Sequence, residues 1–517
     1  MHDNRSDDRR SDGRRIRKIV IVGGGTAGWM AAAPLIQQLR AQCDVVLIES
    51  PEIGTIGVGE ATLPTIRTYN ASLGLDQADF VRKTQASFKL GIEFKDWGHT
   101  GNRFFHGFSD YGPTIDARSP HLYWLRLANA FNKMPALDNW SMCATMARQG
   151  KFTMPTGQAG PSGGFTFGYH FDAGLYAAYL RQFATARGVV RIEGTIVEVE
   201  QDGQSGFVTA LKLNDGRRVE GDLFVDCSGF RGLLIEGTLK AGYEDWSHYL
   251  PCNSAQAVPC AKVPVLTPYT TSTAKSAGWM WRIPLQHRTG NGHVYSSHFM
   301  DDEAARDVLL AGLDGRALDE PRQLRFVTGR RRKSWDKNVV AIGLAAGFVE
   351  PLESTSIALI ETAVGKLIEL FPNRAFAPEL AHEFNRYMGR SYESVRDFII
   401  LHYKVTGRDD SEFWRYCANM AIPDGLRHQI ETFRECGHTV VTDPDGFQGP
   451  SFVAMLMGLG IVPKRYDPFV EKLDLRELHG HFAGLRDAIA RTVQGMPEHG
   501  QYIAAHCAAE PVPGLAV

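Results

Sequence analysis

The most constraining feature of this 517-residue chain is a glycine-rich turn near its start. The run Gly23-Gly24-Gly25-Thr26-Ala27-Gly28 follows a β-branched strand at 17–22 and leads into a predicted helix over 27–40. A second apolar run ends in Glu49, 21 positions after Gly28. This pattern is typical of a dinucleotide-binding βαβ unit, in which the backbone approaches a pyrophosphate at a helix N-terminus and the acid accepts hydrogen bonds from ribose. The residues predicted to hold the cofactor here are Gly23, Gly25, Thr26, Ala27, Gly28 and Glu49.

Two later segments are predicted to return to the same cofactor. Residues 222–229 form an apolar strand that ends in a Ser-Gly turn, and residues 338–347 form a strand that enters a small-residue turn before a predicted helix at 356–370. Each could be an ordinary strand of a parallel sheet. Three segments in this order favour a discontinuous FAD module, and the single fingerprint favours one tightly held FAD over NAD. The further predicted cofactor residues are Gly229, Gly343, Phe348, Pro351 and Leu352.

Composition excludes several other classes. Lys plus Arg number 56 and Asp plus Glu number 58, so no basic excess indicates nucleic-acid binding. The longest apolar run, 339–349, is too short for the roughly 20 residues of a membrane span. The eight cysteines form no CxxC pair, which predicts reduced thiols, no metal site and a cytoplasmic protein. Residues 1–15 carry mixed charges without an apolar core, so we expect a disordered arm rather than a signal peptide.

A tryptophan pair makes the sequence more specific. Trp279 and Trp281 in WMWRIP would share one face of a strand, although spacing alone also fits a tryptophan-rich core strand. Together with other motifs, the chain resembles the flavin-dependent halogenases, the group that includes the tryptophan halogenases. The resemblance rests on GGGTAGW at 23–29, IGVGEAT at 56–62, FKLGI at 88–92, YHFDA at 169–173, DLFVDCSGFRGLL at 222–234, WMWRIP at 279–284 and FVEPLEST at 348–355.

The resemblance implies a mechanism with named residues. FADH2 and O2 give a flavin C4a-hydroperoxide, a halide attacks it, and the resulting hypohalous acid travels through a tunnel to Lys89. Lys89 either hydrogen-bonds the oxidant as an ammonium or forms a haloamine as an amine. Glu353 stabilises the cationic arenium and helps remove its proton. Trp279 and Trp281 form a barrier between flavin and substrate, and a separate flavin reductase supplies FADH2.

From the residues alone, two of these roles have plain alternatives. Lys89 could be a surface lysine whose chain covers apolar neighbours, and Glu353 could be an acid favoured by a helix N-terminus. The halide is expected at the backbone N–H groups near Thr355 and Ser356. Tryptophan halogenases have Gly where this chain has Ser356, so either bromide or chloride is possible and bromide preference is a hypothesis.

The substrate side resembles the family's aromatic clamp, with His106 and Phe108 at matching places. A packed loop is the alternative reading of the same residues. The C-terminal segment 445–452 is short and lacks the paired tyrosines that hold the amino acid in tryptophan halogenases. We therefore expect an electron-rich, indole-like small aromatic rather than free tryptophan.

The resemblance also implies the architecture: an α/β, glutathione-reductase-type FAD-binding fold (Rossmann-like) with a mixed-sheet substrate module and a helical C-terminal cap. We predict a FAD module from 16–110, 187–232 and 326–370, and a substrate module from 111–186, 233–325 and 371–517, in a monomer or homodimer. An aromatic monooxygenase of the same fold and a non-catalytic flavin-binding protein are the alternative functions.

Overall fold

The computed structural model describes residues 14–39, 42–51, 59–131, 133–157, 160 and 164–511. Nearly all of the predicted arm, and residues 56–58 of the IGVGEAT motif, lie outside these ranges. The strands are β1 (Lys18–Val22), β2 (Asp44–Glu49), β3 (Glu60–Ala61), β4 (Ser87–Lys89), β5 (Gly91–Lys95), β6 (Arg103–Gly107), β7 (Gly168–Phe171), β8 (Val190–Glu193), β9 (Ile196–Gln201), β10 (Val208–Leu213), β11 (Arg218–Glu220), β12 (Leu223–Asp226), β13 (Tyr243–Asp245), β14 (Ser254–Ala261), β15 (Thr270–Lys275), β16 (Gly278–Pro284), β17 (Arg288–Tyr295), β18 (Arg322–Arg325), β19 (Gly329–Arg331), β20 (Trp335–Asp336), β21 (Val339–Ala341) and β22 (Gly347–Phe348).

The α-helices are α1 (Thr26–Leu39), α2 (Thr65–Ser72), α3 (Gln77–Lys83), α4 (Pro120–Ala130), α5 (Met142–Arg148), α6 (Ala173–Thr185), α7 (Asp302–Ala311), α8 (Ser356–Glu369), α9 (Pro378–Lys404), α10 (Glu412–Asn419), α11 (Asp424–Cys436), α12 (Gly449–Gly458), α13 (Leu475–Gln494) and α14 (His499–His506). Short 3-10 turns include Gly229–Arg231, Gly343–Ala345 and Pro351–Glu353. None of the helices in the described ranges combines the length and apolar character needed to cross a bilayer.

The predicted cofactor strands lie side by side in a six-stranded sheet of order β20-β21-β12-β1-β2-β8. All neighbours pair in parallel except β20 and β21. The strands β1, β12 and β21 are almost entirely buried, as expected for a sheet covered on both faces by helices. The sheet confirms the Rossmann-like α/β fold, with α1 as the first crossover helix.

A second sheet of seven strands has the order β18-β14-β17-β16-β15-β5-β6. Its neighbours are antiparallel except for the parallel pair β5 and β15, so the expected mixed sheet is confirmed. The tryptophan strand β16 lies inside it, between β15 and β17. Because β5 and β6 belong to this sheet, the segment 16–110 contributes to both sheets, and the module boundaries remain a prediction.

The C-terminal third is helical, which confirms the predicted cap. Its longest element, α9, has 27 residues. The last turns of α9 are buried and include Phe398, His402 and Tyr403. This helix therefore brings late parts of the sequence against the segment 348–355, where the halogenase-like motif lies.

Candidate active site

The predicted cofactor glycines lie at one edge of the six-stranded sheet. Gly23, Glu49, Gly229 and Gly343 each end or closely follow one of four neighbouring strands, β1, β2, β12 and β21. The carboxyl edge of a parallel sheet is where open α/β folds bind ligands. The sequence-predicted residues are thus brought together although they are more than 300 positions apart.

Close packing explains why glycine is needed there. A Cβ on Gly23 would lie 2.3 Å from the Cys227 carbonyl oxygen, and a Cβ on Gly28 would lie 1.8 Å from the Gly23 carbonyl oxygen. Gly343 has a φ of +70°, and its Cβ would lie 2.8 Å from that of Ala27. A Cβ on Gly25, by contrast, would meet no atom of the described residues within 4 Å, which leaves space among them at the start of α1. This tight turn beside open space fits a dinucleotide.

The other predicted cofactor residues surround the same edge. Glu49 forms ion pairs with Arg191 on β8 and, at 4.0 Å, with Arg181 on α6. Thr26 Oγ1 donates a hydrogen bond to the Ala173 carbonyl at 3.4 Å. The ring of Phe348 packs against Phe230 and Phe326. Pro351 and the buried Leu352 are the first two residues of the 3-10 turn that ends at Glu353.

Lys89 is buried rather than on the surface. It ends β4 with 0% exposure, so the surface-lysine alternative is wrong. Its Nζ donates a 2.8 Å hydrogen bond to Ser354 Oγ and lies 5.3 Å from the centre of the Phe108 ring. Burial lowers the pKa of Lys89 to about 7, although the nearby Glu353 opposes this shift. An amine of this kind exchanges readily between charged and neutral forms near neutral pH.

Glu353 is a buried acid between two histidines. His106 Nδ1 donates to both carboxylate oxygens at 3.0 and 3.1 Å, and His402 Nε2 donates to Oε1 at 2.8 Å. Burial by itself would raise the pKa of Glu353, but the two histidines outweigh it and hold that pKa at about 2. His402 Nδ1 lies 2.7 Å from the Phe398 carbonyl oxygen, so both ring nitrogens of His402 have a hydrogen-bond partner.

Ser354 links the lysine to the acid's segment. It has a φ of +61°, a left-handed conformation that is strained for a residue with a side chain, and it is 5% exposed. This conformation follows the Pro351–Glu353 turn and points neighbouring side chains in different directions. Its hydroxyl therefore accepts from Lys89 while the adjacent carboxylate turns towards the histidines.

The predicted halide residues begin the next helix. Thr355 precedes α8 and Ser356 is its first residue. Thr355 is 2% exposed, and its Oγ1 has no hydrogen-bond partner among the described residues. A buried, unpartnered hydroxyl at the N-terminus of a 14-residue helix is compatible with a bound anion.

The tryptophan pair is tied to the other acid of the motif. Trp279 and Trp281 lie with ring centres 6.0 Å apart on β16, and both are buried. Trp279 Nε1 donates to Glu350 Oε2 at 3.0 Å, and the Tyr403 hydroxyl donates to the same oxygen at 2.6 Å. Burial raises the pKa of Glu350 to about 7.

Aromatic rings cover the side of the site where a substrate is expected. The His106 ring lies 5.9 Å from Phe398 and 6.3 Å from Phe447. The rings of Phe447 and Phe398 are stacked with their centres 3.9 Å apart. Asp445, two positions before Phe447, accepts a 2.8 Å hydrogen bond from the Tyr387 hydroxyl. The short C-terminal segment thus places one aromatic ring near the predicted clamp.

Sequence reasoning found part of this arrangement. Lys89, Glu353, His106 and Phe108 come together as one cluster, with His106 on the acid and Phe108 below the lysine. The roles of Ser354 and Glu350 were missed, although both lie inside the FVEPLEST motif. His402 and Tyr403 were also missed, because a buried residue on a long helix gives no local signal of its contacts.

Comparison with known proteins identifies the family. The tryptophan halogenase family model matches residues 18–474. Xcc4156, a flavin-dependent halogenase from Xanthomonas campestris, is 43% identical with a TM-score of 0.94, covering 97% of this chain and 100% of that one. BrvH, a flavin-dependent halogenase from Brevundimonas sp. BAL3, is 46% identical with a TM-score of 0.92, covering 95% and 99%. The tryptophan 6-halogenase ThaL of Streptomyces albogriseolus is 37% identical over 87% of this chain and 90% of its own length. The chain belongs to the tryptophan halogenase family of flavin-dependent enzymes.

Proposed function

We propose that this enzyme uses FADH2, O2 and a halide to halogenate an electron-rich, indole-like aromatic other than free tryptophan. The observation that carries this proposal is the buried Lys89 amine, which donates a hydrogen bond to Ser354. Ser354 is adjacent to Glu353, an acid whose pKa is held low by two histidines. A monooxygenase would need neither this amine nor the paired tryptophans.

The cofactor would be held by the residues at the carboxyl edge of the six-stranded sheet. The Gly23–Gly28 turn and the start of α1 would take the pyrophosphate, and Glu49 would share its carboxylate with ribose hydroxyls. Bound FADH2 would supply two electrons and two protons, so that O2, a halide and one further proton become hypohalous acid and water. A separate reductase would supply the reduced flavin.

Lys89 would hold the oxidant in either of two forms. As an ammonium it donates a hydrogen bond that makes the halogen more electrophilic, and as a neutral amine it forms a haloamine with loss of water. Its 0% exposure keeps bulk water from the oxidant, and its pKa of about 7 makes both forms accessible. Ser354 positions the nitrogen for either role.

Glu353 would act on the aromatic. Halogen addition places positive charge on the ring, and a carboxylate that remains ionised down to about pH 2 can stabilise it. The carboxylate can then assist removal of the ring proton. His106 and His402 hold its two oxygens in place, which leaves His106 with a positioning contact in addition to its proposed place at the substrate.

The halide would bind where α8 begins. Backbone N–H groups near Thr355 and Ser356 and the unpartnered Thr355 hydroxyl offer donors to an anion. The Ser356 side chain, in place of the glycine of tryptophan halogenases, changes the size of this site. We propose bromide as the preferred halide, with chloride as the alternative.

The substrate proposal rests on the aromatic side of the site. His106, Phe108 and Phe447 offer ring faces, whereas the segment 445–452 has no paired tyrosines. The lack of that tyrosine pair favours a substrate other than free tryptophan.

The decisive experiment is a product analysis. The protein is incubated with FAD, a flavin reductase, NADH, O2, indole or tryptophan, and bromide or chloride, and products are identified from halogen isotope patterns. We expect halogenated indole, more with bromide, and little halogenated tryptophan. Hydroxylated product alone would favour the monooxygenase, and flavin binding without products across indoles, phenols and pyrroles would favour the non-catalytic protein.

A further inference from the structure

One indole of the tryptophan pair is tethered and the other is not. Trp279 Nε1 donates to Glu350, whereas Trp281 Nε1 is buried without a partner among the described residues. Trp279 is 1% exposed and packs against Trp97 with ring centres 6.5 Å apart. A single directional bond therefore fixes the in-plane orientation of the Trp279 ring.

The acceptor of this bond is itself held from another element. Glu350 is 0% exposed and precedes the 3-10 turn, while its second donor, Tyr403, lies on α9. The Tyr403 ring packs on Trp97 at 5.5 Å and on Trp414 at 5.9 Å. The tether thus joins β16, the motif segment and α9 through one carboxylate oxygen.

Glu350 differs from an ordinary structural acid in its partners. Both hydrogen bonds reach Oε2, and Oε1 is buried without a partner in the described structure. Its hydrogen-bond donors are an indole and a phenol, with no cation among them. A buried acid without a charged partner is costly to the fold, so its position beside the paired tryptophans points to a role.

We propose that Glu350 is a positioning residue that orients Trp279 in the barrier and so keeps oxidation of FADH2 coupled to halogenation. This inference rests on the proposed function. It requires the geometry of the carboxyl oxygen rather than its charge, because an amide oxygen at the same place can accept from both donors.

The first test measures the hydrogen bond between Trp279 and Glu350, called the tether above, in protein without flavin, halide or substrate. Protein labelled with ¹⁵N at its nine tryptophan indoles gives N–H signals, and Trp279→Phe assigns the relevant one. Glu350→Gln keeps the side-chain length and an acceptor oxygen. Glu350→Asp keeps the carboxyl group but shortens the side chain by one methylene. We expect the Trp279 signal to stay near its wild-type position in the Gln variant and to move upfield in the Asp variant. An unchanged signal in the Asp variant would overturn the tether, whatever the enzyme's activity.

The second test measures coupling as halogenated product per FADH2 oxidised. We expect Glu350→Asp to lower this ratio by about tenfold, the factor given by a free-energy difference of about 1.4 kcal/mol, and Glu350→Gln to retain most of it. Glu361→Asp is the matched control, since Glu361 is another acid whose burial raises its pKa, to about 8. A Gln variant as uncoupled as the Asp variant would show that charge, not position, matters. A wild-type enzyme that yields no halogenated product would contradict the proposed function, while the indole signal would still decide the tether.

Discussion

Two acids three positions apart, Glu350 and Glu353, show how little burial alone decides about charge. Both are at most 1% exposed. Burial raises the pKa of Glu350 to about 7, because the hydrogen bonds from its two neutral donors, a phenol and an indole, oppose this shift only in part. The pKa of Glu353 is about 2, because His106 and His402 outweigh the same burial. The identity of the partners therefore separates an acid fit for electrostatic work from one fit for holding geometry.

Of the two acids, Glu353 is the one that interacts with Lys89. Lys89 contacts Ser354, which is next to Glu353. Burial lowers the pKa of Lys89, and Glu353 opposes this lowering in part. The cationic and anionic groups thus form one cluster around Glu353. Glu350 faces the tryptophan strand instead. Changes on the Glu353 side should affect the chemical step, and changes on the Glu350 side should affect coupling and stability.

The largest effect is expected from Lys89→Met. Loss of the buried amine removes the group proposed to carry the halogen, so aryl halogenation should fall by about 10³-fold or more while FADH2 oxidation persists. Product formation by mass spectrometry and oxygen consumption measure the two steps. Lys95→Met is the matched control, because Lys95 is 34% exposed and pairs with Glu93 at the surface, where such pairs contribute little. Retained halogenation would remove Lys89 from the mechanism.

A somewhat smaller loss is expected from Glu353→Gln. The amide keeps the size of the side chain but removes the negative charge proposed to stabilise the ring cation, so single-turnover product formation should slow by about 10²- to 10³-fold. Flavin oxidation should be unchanged. Glu350→Gln, the same substitution three positions earlier, should lose far less. Equal losses in the two variants would erase the distinction between the acids.

The extent to which the sequence predicted this site follows from the kinds of signal it contains. The glycine turns were predicted from their spacing and backbone requirements, whereas Lys89 and Glu353 were predicted only from the resemblance of their motifs to those of the halogenases. The βαβ pattern similarly predicted the parallel sheet. His402 could not be predicted, since it reaches Glu353 only through the packing of α9.

Glu49 illustrates a second limit of the sequence. Its spacing from Gly28 predicted its place at the end of β2. Its ion pair with Arg191, however, depends on β8 pairing beside β2, a topological contact between residues 142 positions apart. Partners of this kind are set by tertiary structure, and no local pattern encodes them.

Removing one histidine partner should shift the pH profile. His402→Gln removes one of the two histidines that lower the pKa of Glu353, so that pKa should rise from about 2 towards its ordinary value. Protonated Glu353 cannot stabilise the ring cation, and the decline of the halogenation rate on the acid side should therefore begin at higher pH. Single-turnover rates between pH 4 and 8 measure this, with a loss of up to about fourfold expected at pH 4, where a group of pKa 4.5 is about three-quarters protonated. An acid limb in the same place as in the wild type would contradict the proposed coupling.

The smallest effect concerns the pH dependence of stability. The pKa shifts of the two acids have opposite signs, so their contributions to stability should change with pH in opposite directions. The folded-state pKa of Glu350, about 7, lies above its ordinary value of 4.5, so the folded protein retains a proton that the unfolded chain loses. Wild-type stability should therefore fall as pH rises from 4.5 to 7, by at most about 3 kcal/mol. Glu350→Gln removes this titration, and its melting temperature relative to wild type should rise by about 2 °C between pH 5 and 7.5.

Glu353→Gln supplies the contrast for that measurement. The pKa of Glu353 is depressed, so its contribution to stability is complete above its ordinary pKa of 4.5 and is lost only as pH falls towards 2. The difference in melting temperature between this variant and the wild type should accordingly stay constant from pH 5 to 7.5. If both variants showed the same dependence on pH, the two buried acids would share one charge state. The chemical division between them would then have to come from their positions alone.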